Sequence, residues 1–148
     1  MTADSPVFVD TNVLVYFTFT HFAEHQGARR RLAECESLPA TLWTSRQVLR
    51  EFLAVATRPG FLTPLPSVRF LAQAVQAFEN WFQIAAEDAQ VTGLLLELVE
   101  NPGAQGKQVH DANIVATMRR HRITRLLTHN GSDFRRFSPW VTVVPLIP

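Results

Sequence analysis

Five Asp and eight Glu are spread over 148 residues, and four of these acids stand where a lone carboxylate is costly. Asp10 follows the apolar run Val7-Phe8-Val9 directly. Glu51 shares a helical face with Val48 and Val55, at i−3 and i+4, and adjoins Phe52. Asp111 lies in line with Ile114, Val115 and Met118. Asp133 closes the turn-forming run Asn130-Gly131-Ser132-Asp133. A charge on an apolar face requires a cation or hydrogen bonds to offset its desolvation. Each acid alone has a bland explanation: a helix cap for Asp10, a salt bridge to a nearby Arg for Glu51, the helix dipole for Asp111, a turn for Asp133. Together they suggest one cluster. Carboxylates about 4–6 Å apart repel, and at least one pKa must rise unless a cation joins them. Oxygen ligands with few His and one Cys favour Mg²⁺ or Mn²⁺ over zinc. Such ions activate water and clamp a phosphoryl oxygen, the chemistry of phosphodiester cleavage. His110 adjoins Asp111 and is expected to face away from it, because consecutive helical residues do not share a face.

The surrounding elements must bring these acids together. Val7–Val9 reads as a short buried strand, after which Thr11-Asn12 opens a helix. Glu24–Cys35 reads as helical. Thr41–Thr44 fits a second strand, and Thr44-Ser45-Arg46-Gln47 fits a capping box for a helix that stops before Pro59-Gly60. Ser67 caps a long helix to about Trp81. Its apolar residues, Val68, Phe70, Leu71, Ala74, Val75, Ala77, Phe78, Trp81 and Phe82, fill roughly half the circumference. A face that wide points to a deep core helix somewhat more than to one covering a partner. Asp88 caps a helix to about Val99, and Asn101–Gly106 reads as a loop. Val109–His121 is helical, Arg125–Thr128 a strand, Asn130–Asp133 a turn and Val141–Val144 a last strand. Short apolar strands between helices indicate an α/β domain with a mainly parallel sheet. Ligands of such folds bind beyond the carboxyl ends of the strands, and Asp10 and Asp133 both fall just past one. With no repeat or long linker, one domain over residues 1–148 is expected.

The formal net charge is only +1, and thirteen of the fourteen cations are Arg. The stretch from Lys107 to Arg136 holds seven cations against Asp111 and Asp133, with three His besides. That imbalance suits a polyanion, with Lys107, Arg135 and Arg136 as candidate phosphate-binding residues. Arg119 to Arg122 are equally well explained as cations at a helix C-terminus. The single Cys35 excludes an intrachain disulfide and a thiolate metal cluster. The opening residues lack a basic leader, and no apolar run approaches the ~20 residues of a membrane span. A cytoplasmic protein with no membrane partner is expected.

Val7-Phe-Val-Asp-Thr-Asn-Val-Leu-Val-Tyr16 resembles the opening motif of PIN-domain nucleases, especially VapC-type toxins of bacterial toxin–antitoxin pairs. Ser45-Arg-Gln-Val-Leu-Arg-Glu-Phe52 resembles their second motif, Val109-His-Asp-Ala-Asn-Ile-Val-Ala116 the third, and Leu126-Leu-Thr-His-Asn-Gly-Ser-Asp-Phe-Arg-Arg-Phe137 the last. The resemblance implies a PIN-like α/β/α sandwich with a five-stranded, mainly parallel sheet and an endoribonuclease dependent on Mg²⁺ or Mn²⁺. It implies metal ligation by Asp10, Glu51, Asp111 and Asp133, with Thr11, Asn12 and Asn130 as supporting polar groups, Asn130 sharing the turn of Asp133. It also implies an RNA substrate, a homodimer and a small antitoxin over the active site. Two other readings compete. A phosphatase of the haloacid dehalogenase type needs a second Asp two residues after the first, where Asn12 stands. A non-catalytic PIN-like module binding RNA or protein predicts a degraded acid set, whereas all four acids are intact here. Between Arg58 and Gly106 no family motif occurs.

Overall fold

A computed structural model describes residues 5–36 and 41–147; the opening residues, on which the expectation of no basic leader rests, lie largely outside them. Five strands form one sheet: β1 (Val7–Val9), β2 (Leu42–Thr44), β3 (Gln83–Ile84), β4 (Arg125–Thr128) and β5 (Thr142–Pro145). Their order is β3-β2-β1-β4-β5, and every pairing is parallel. Parallel neighbours require crossover connections. These contain α1 (Thr11–Thr18), α2 (His25–Glu36), α3 (Arg46–Ala56), α4 (Val68–Trp81), α5 (Ala89–Leu98) and α6 (Gln108–Arg120). A π-type turn (Val99–Gly103) follows α5, and a 3₁₀ helix (Gly131–Phe137) joins β4 to β5. Among the described residues no helix is long and apolar enough to cross a membrane.

The order fixes where a site can form. From β1 the chain builds outward through β2 and β3, then returns to the other side of β1 for β4 and β5. The crevice between β1 and β4 is therefore the switch point of the sheet, where ligands of open α/β folds collect. Val9 pairs with Leu127, so Asp10 and Thr128 leave the sheet side by side, and the Asp10 amide donates to the Leu127 carbonyl at 3.0 Å. Phe8, Val9, Leu126 and Leu127 are buried with Val13, Leu14, Phe52, Ile114, Val115 and Met118, so helices α1, α3 and α6 share a core with the two central strands. That sharing sets the heights of their first turns.

Several local expectations are corrected. The sheet has the five strands expected, but β3, which the sequence does not locate, has only two residues, too few for an alternating pattern. The cap of α3 is Ser45, whose Oγ accepts from the Val48 amide; Thr44 is the last strand residue, and its hydroxyl donates to the Val9 carbonyl. Gln47 consequently does not close a capping box and is free to bond elsewhere. Helix α4 is not a deep core helix: only Leu71 and Phe78 are fully buried, while Val68 is 80% and Phe70 45% exposed. Ala74, Val75 and Trp81 are half-buried against the core, so the uncovered part of its apolar face lies mainly at its start. The turn at 130–133 continues into a 3₁₀ helix anchored by buried Phe134 and Phe137. Gly131 lets that helix lie close to the edge strand, since a Cβ there would stand 3.1 Å from Val143 Cγ1.

Candidate active site

Asp10 occupies the first position after β1 and is the N-cap of α1. Its Oδ1 accepts from the Thr11 amide at 2.8 Å, which leaves Oδ2 to Thr128 Oγ1 at 2.8 Å and Asn12 Nδ2 at 3.3 Å. The carboxylate is thus both a cap and a member of a polar cluster. Thr128 spends its full hydrogen-bonding capacity here: it donates to Asp10 and accepts from Asn12 Nδ2 and the Asn130 amide, each at 3.1 Å. Asn12 Oδ1 in turn accepts from the His129 amide.

Glu51, half-buried on α3, has no ion pair among the described residues. It accepts from Thr11 Oγ1 and Gln47 Nε2, each at 3.0 Å. Gln47 is buried and also donates to the His110 carbonyl while accepting from Asn113 Nδ2, so one side chain ties α3 to α6. Asp111, in the first turn of α6, is half-buried, and Asp133 lies exposed on the 3₁₀ helix. Elements from four separated segments thus deliver four carboxylates to one cavity of about 620 Å³. Thr11, Asn12, Asn130, Lys107 and His110 line the same cavity. His110, expected to face away from Asp111, is exposed and also borders the cavity. Lys107, His110 and Asp111 stand at i, i+3 and i+4, so the cavity wraps around that turn.

The electrostatics follow from this convergence. Burial, with a smaller contribution from Glu51, pushes the Asp10 carboxyl up to about 6 against the pull of its hydrogen bonds to Thr128, Thr11 and Asn12. Asp111 is pushed up to about 7 by desolvation and by the charges of Asp10, Asp133 and Glu51, with Arg136 opposing. Arg136 is held by the Gly103 carbonyl and Gln108 Oε1. Among the described residues no three His, Cys, Asp or Glu side chains close into a metal-binding group. All four acids share the cavity, and Asp10 and Glu51 rest on hydroxyl and amide donors. The donor set nevertheless fits a hard divalent cation: oxygen-only carboxylates, two of them with raised pKa, whose repulsion a cation relieves.

The remaining cations divide. Arg120 pairs with Asp88 at 2.9 Å, and Arg119 approaches Glu97 at 3.5 Å and lies over the Trp140 ring. These two are structural, and Lys107 alone of the basic segment lines the cavity. Arg135 is exposed on the 3₁₀ helix. Sequence reasoning does not single out Thr128, Gln47, Tyr16, Arg58 or Phe61 as site residues. A polar residue ending a strand beside the one that ends in Asp10 is the available sign for Thr128. Thr128→Val should remove the shorter of the two hydrogen bonds to Asp10 Oδ2 and leave the Asn130 amide without its partner, destabilising the protein at neutral pH by about 1–3 kcal/mol. Thr128→Ser should restore most of the loss in urea melts, and equal melts for wild type and Thr128→Val would deny the hydroxyl this role.

A family model described as PIN domain matches residues 7–138. Ribonuclease VapC24 of Mycobacterium tuberculosis is 27% identical over 132 residues, covering 87% of this chain and 89% of that protein. The crystal structure of M. tuberculosis VapC20, a sarcin–ricin loop cleaving toxin, superposes with a TM-score of 0.64 at 22% identity, over 85% of this chain and 92% of that one. A toxin–antitoxin complex from Klebsiella pneumoniae contains a chain matched with a TM-score of 0.65 at 22% identity, over 96% of this chain and 98% of that one.

Proposed function

We propose, from the premise that this chain belongs to the PIN-domain family, that it is a divalent-metal-dependent endoribonuclease and the toxin of a toxin–antitoxin pair. The observation that carries the reading is the convergence of Asp10, Glu51, Asp111 and Asp133 on one cavity at the switch point of the sheet. The ribonuclease relative and the toxin–antitoxin complexes among the structural neighbours support it. In this reading those four acids hold Mg²⁺ or Mn²⁺. When bound, the cation supplies an activated water and neutralises charge on a phosphoryl oxygen. The chain's own residues set the stage. Thr128 and Asn12 fix the Asp10 carboxylate, Thr11 and Gln47 fix Glu51, and the Asn130 backbone N–H donates a hydrogen bond to Thr128 Oγ1, which holds the turn that leads to Asp133. One PIN domain accounts for the whole chain, and the setting is cytoplasmic.

Incubating the purified protein with total RNA in Mg²⁺, Mn²⁺ or EDTA tests the activity, and sequencing the new ends maps the target. Cleavage is expected only with metal and should leave 5′-phosphates. Unchanged cleavage in excess chelator sinks the mechanism.

Lys107, Arg135 and Arg136 bind phosphates in this reading. Replacing all three by Ala should flatten the salt dependence of RNA binding, by about 0.7 in log–log slope for each single-strand phosphate that is no longer neutralised. Replacing Arg119 and Arg120, which are engaged with Glu97 and Asp88, should leave the slope unchanged. A slope insensitive to the first set would assign those residues to solubility.

The homodimer and the antitoxin each need a surface. The uncovered apolar start of α4, with Leu65, Val68 and Phe70 exposed, is assigned to a second copy of the chain; the antitoxin is assigned to the cavity mouth.

A further inference from the structure

Two aromatic side chains also line the acidic cavity, and the cleavage chemistry makes no use of them. Tyr16, Arg58 and Phe61 line the cavity along with the acids. After α3 the chain reverses at Arg58-Pro59-Gly60-Phe61, where the Phe61 amide donates to the Arg58 carbonyl at 3.2 Å. Pro59 takes the second position and Gly60, at φ +80°, the third, as a type II turn requires. The next residue, Leu62, is buried and anchors the turn. Arg58 and Phe61 are thereby presented together, the guanidinium 5.9 Å from the ring centroid. Phe61 lies 5.8 Å from Phe22, and Phe22 meets Tyr16 at 5.3 Å, edge to face. Tyr16 then meets His129 at 5.6 Å with the rings 86° apart.

Core packing explains part of this chain of rings, because Tyr16, Phe22 and Phe61 are half-buried against the core. It does not explain why two half-buried rings and a guanidinium line the same cavity as four carboxylates. Flat π-faces beside a cationic group are the features on which bases of single strands stack, whereas a duplex keeps its base faces covered. We propose that Arg58, Phe61 and Tyr16 form a stacking platform that receives one unpaired nucleobase beside the scissile phosphate. The proposal rests on the endoribonuclease reading above.

The test compares cleavage of a short single-stranded RNA with copies carrying one abasic nucleotide, placed in turn at each position flanking the cut, in Mn²⁺ and below saturation. In the wild type one abasic position should lower kcat/KM roughly tenfold or more. Phe61→Leu keeps apolar bulk without the ring. It should show a similar loss on intact RNA and little further loss at that abasic position. Phe61→Tyr, which retains the ring, should retain the abasic penalty. The Mn²⁺-induced shift in melting temperature, measured without RNA, should be the same in Phe61→Leu and wild type. Annealing a complementary strand across the site should suppress cleavage. The platform is overturned if Phe61→Leu shows the wild-type abasic penalty, or if duplex and single strand are cut equally well. Should Phe61→Leu melt early, Tyr16→Leu and Arg58→Ala carry the same comparison from separate elements. A wild type that cuts intact and abasic RNA alike overturns the platform and leaves the nuclease reading standing. One that cuts no RNA overturns both.

Discussion

Asp10→Asn is expected to abolish RNA cleavage while leaving the metal-free protein as stable as the wild type or more so. The substitution keeps the size of the side chain and the acceptor for the Thr11 amide, and Asn caps helices about as well as Asp. It removes a buried charge whose cost is visible in a carboxyl pushed up to about 6. Part of the gain is offset, because an Asn amide group at the Oδ2 position would face two donors, Thr128 Oγ1 and Asn12 Nδ2. Metal separates the two proteins. A ligand bound only to the folded state stabilises it by RT ln(1 + [L]/Kd), about 2.7 kcal/mol at 100 times Kd. Wild type should gain this in Mn²⁺ and Asp10→Asn much less. Thermal melts of both proteins in EDTA and in Mn²⁺ measure the difference, and equal metal shifts would remove Asp10 from the site.

The metal-free protein should lose stability as pH rises from about 4 to about 7, and then level off. Asp10 and Asp111 have folded-state values of about 6 and about 7, against 3.8 unfolded. Between those limits the folded state binds more protons than the unfolded one, so unfolding becomes easier with rising pH. The contribution of Asp10 is on the order of 3 kcal/mol, from a shift of roughly two pH units. That of Asp111, which is half exposed, is smaller than its shift suggests because solvent screens it. Asp10→Asn should remove the larger part of the slope. Metal reverses the sign: ligands must be deprotonated to bind, so the stabilisation by Mn²⁺ should fade as pH drops below 7. Urea denaturation at pH 5 and pH 7.5 provides the measurement. A metal-free protein that is more stable at the higher pH would contradict the raised carboxyl values.

The four acids are legible in the sequence because each sits at a fixed offset from a pattern that reports burial. Asp10 follows an apolar run, Glu51 and Asp111 lie on apolar helical faces, and Asp133 lies in a turn just beyond a strand. What holds them is not legible. Thr128 and Asp10 are 118 residues apart, and their bond exists only because β1 and β4 are neighbours. Gln47 reads as a cap partner until Ser45 takes the cap and frees its amide for Glu51 and α6. Periodicity finds α4 and its cap but does not say how much of its face the rest of the chain covers. Strand β3 exists through pairing of Gln83 and Ile84 with Trp43 and Thr44, a long-range fact without a local signature.

The two outer strands bear on solubility. A flat, open sheet edge exposes unpaired amides and carbonyls that can template another chain, a common route to aggregation. Here β3 offers two residues. On the other side β5 ends in Pro145, which has no amide to donate and whose carbonyl is occupied by Arg31 Nε at 3.1 Å. Neither edge is long enough to seed a growing ladder of backbone bonds. Concentrated preparations of the isolated chain should therefore self-associate through side-chain surfaces, which detergents and charge substitutions can disperse, and not through irreversible strand stacking.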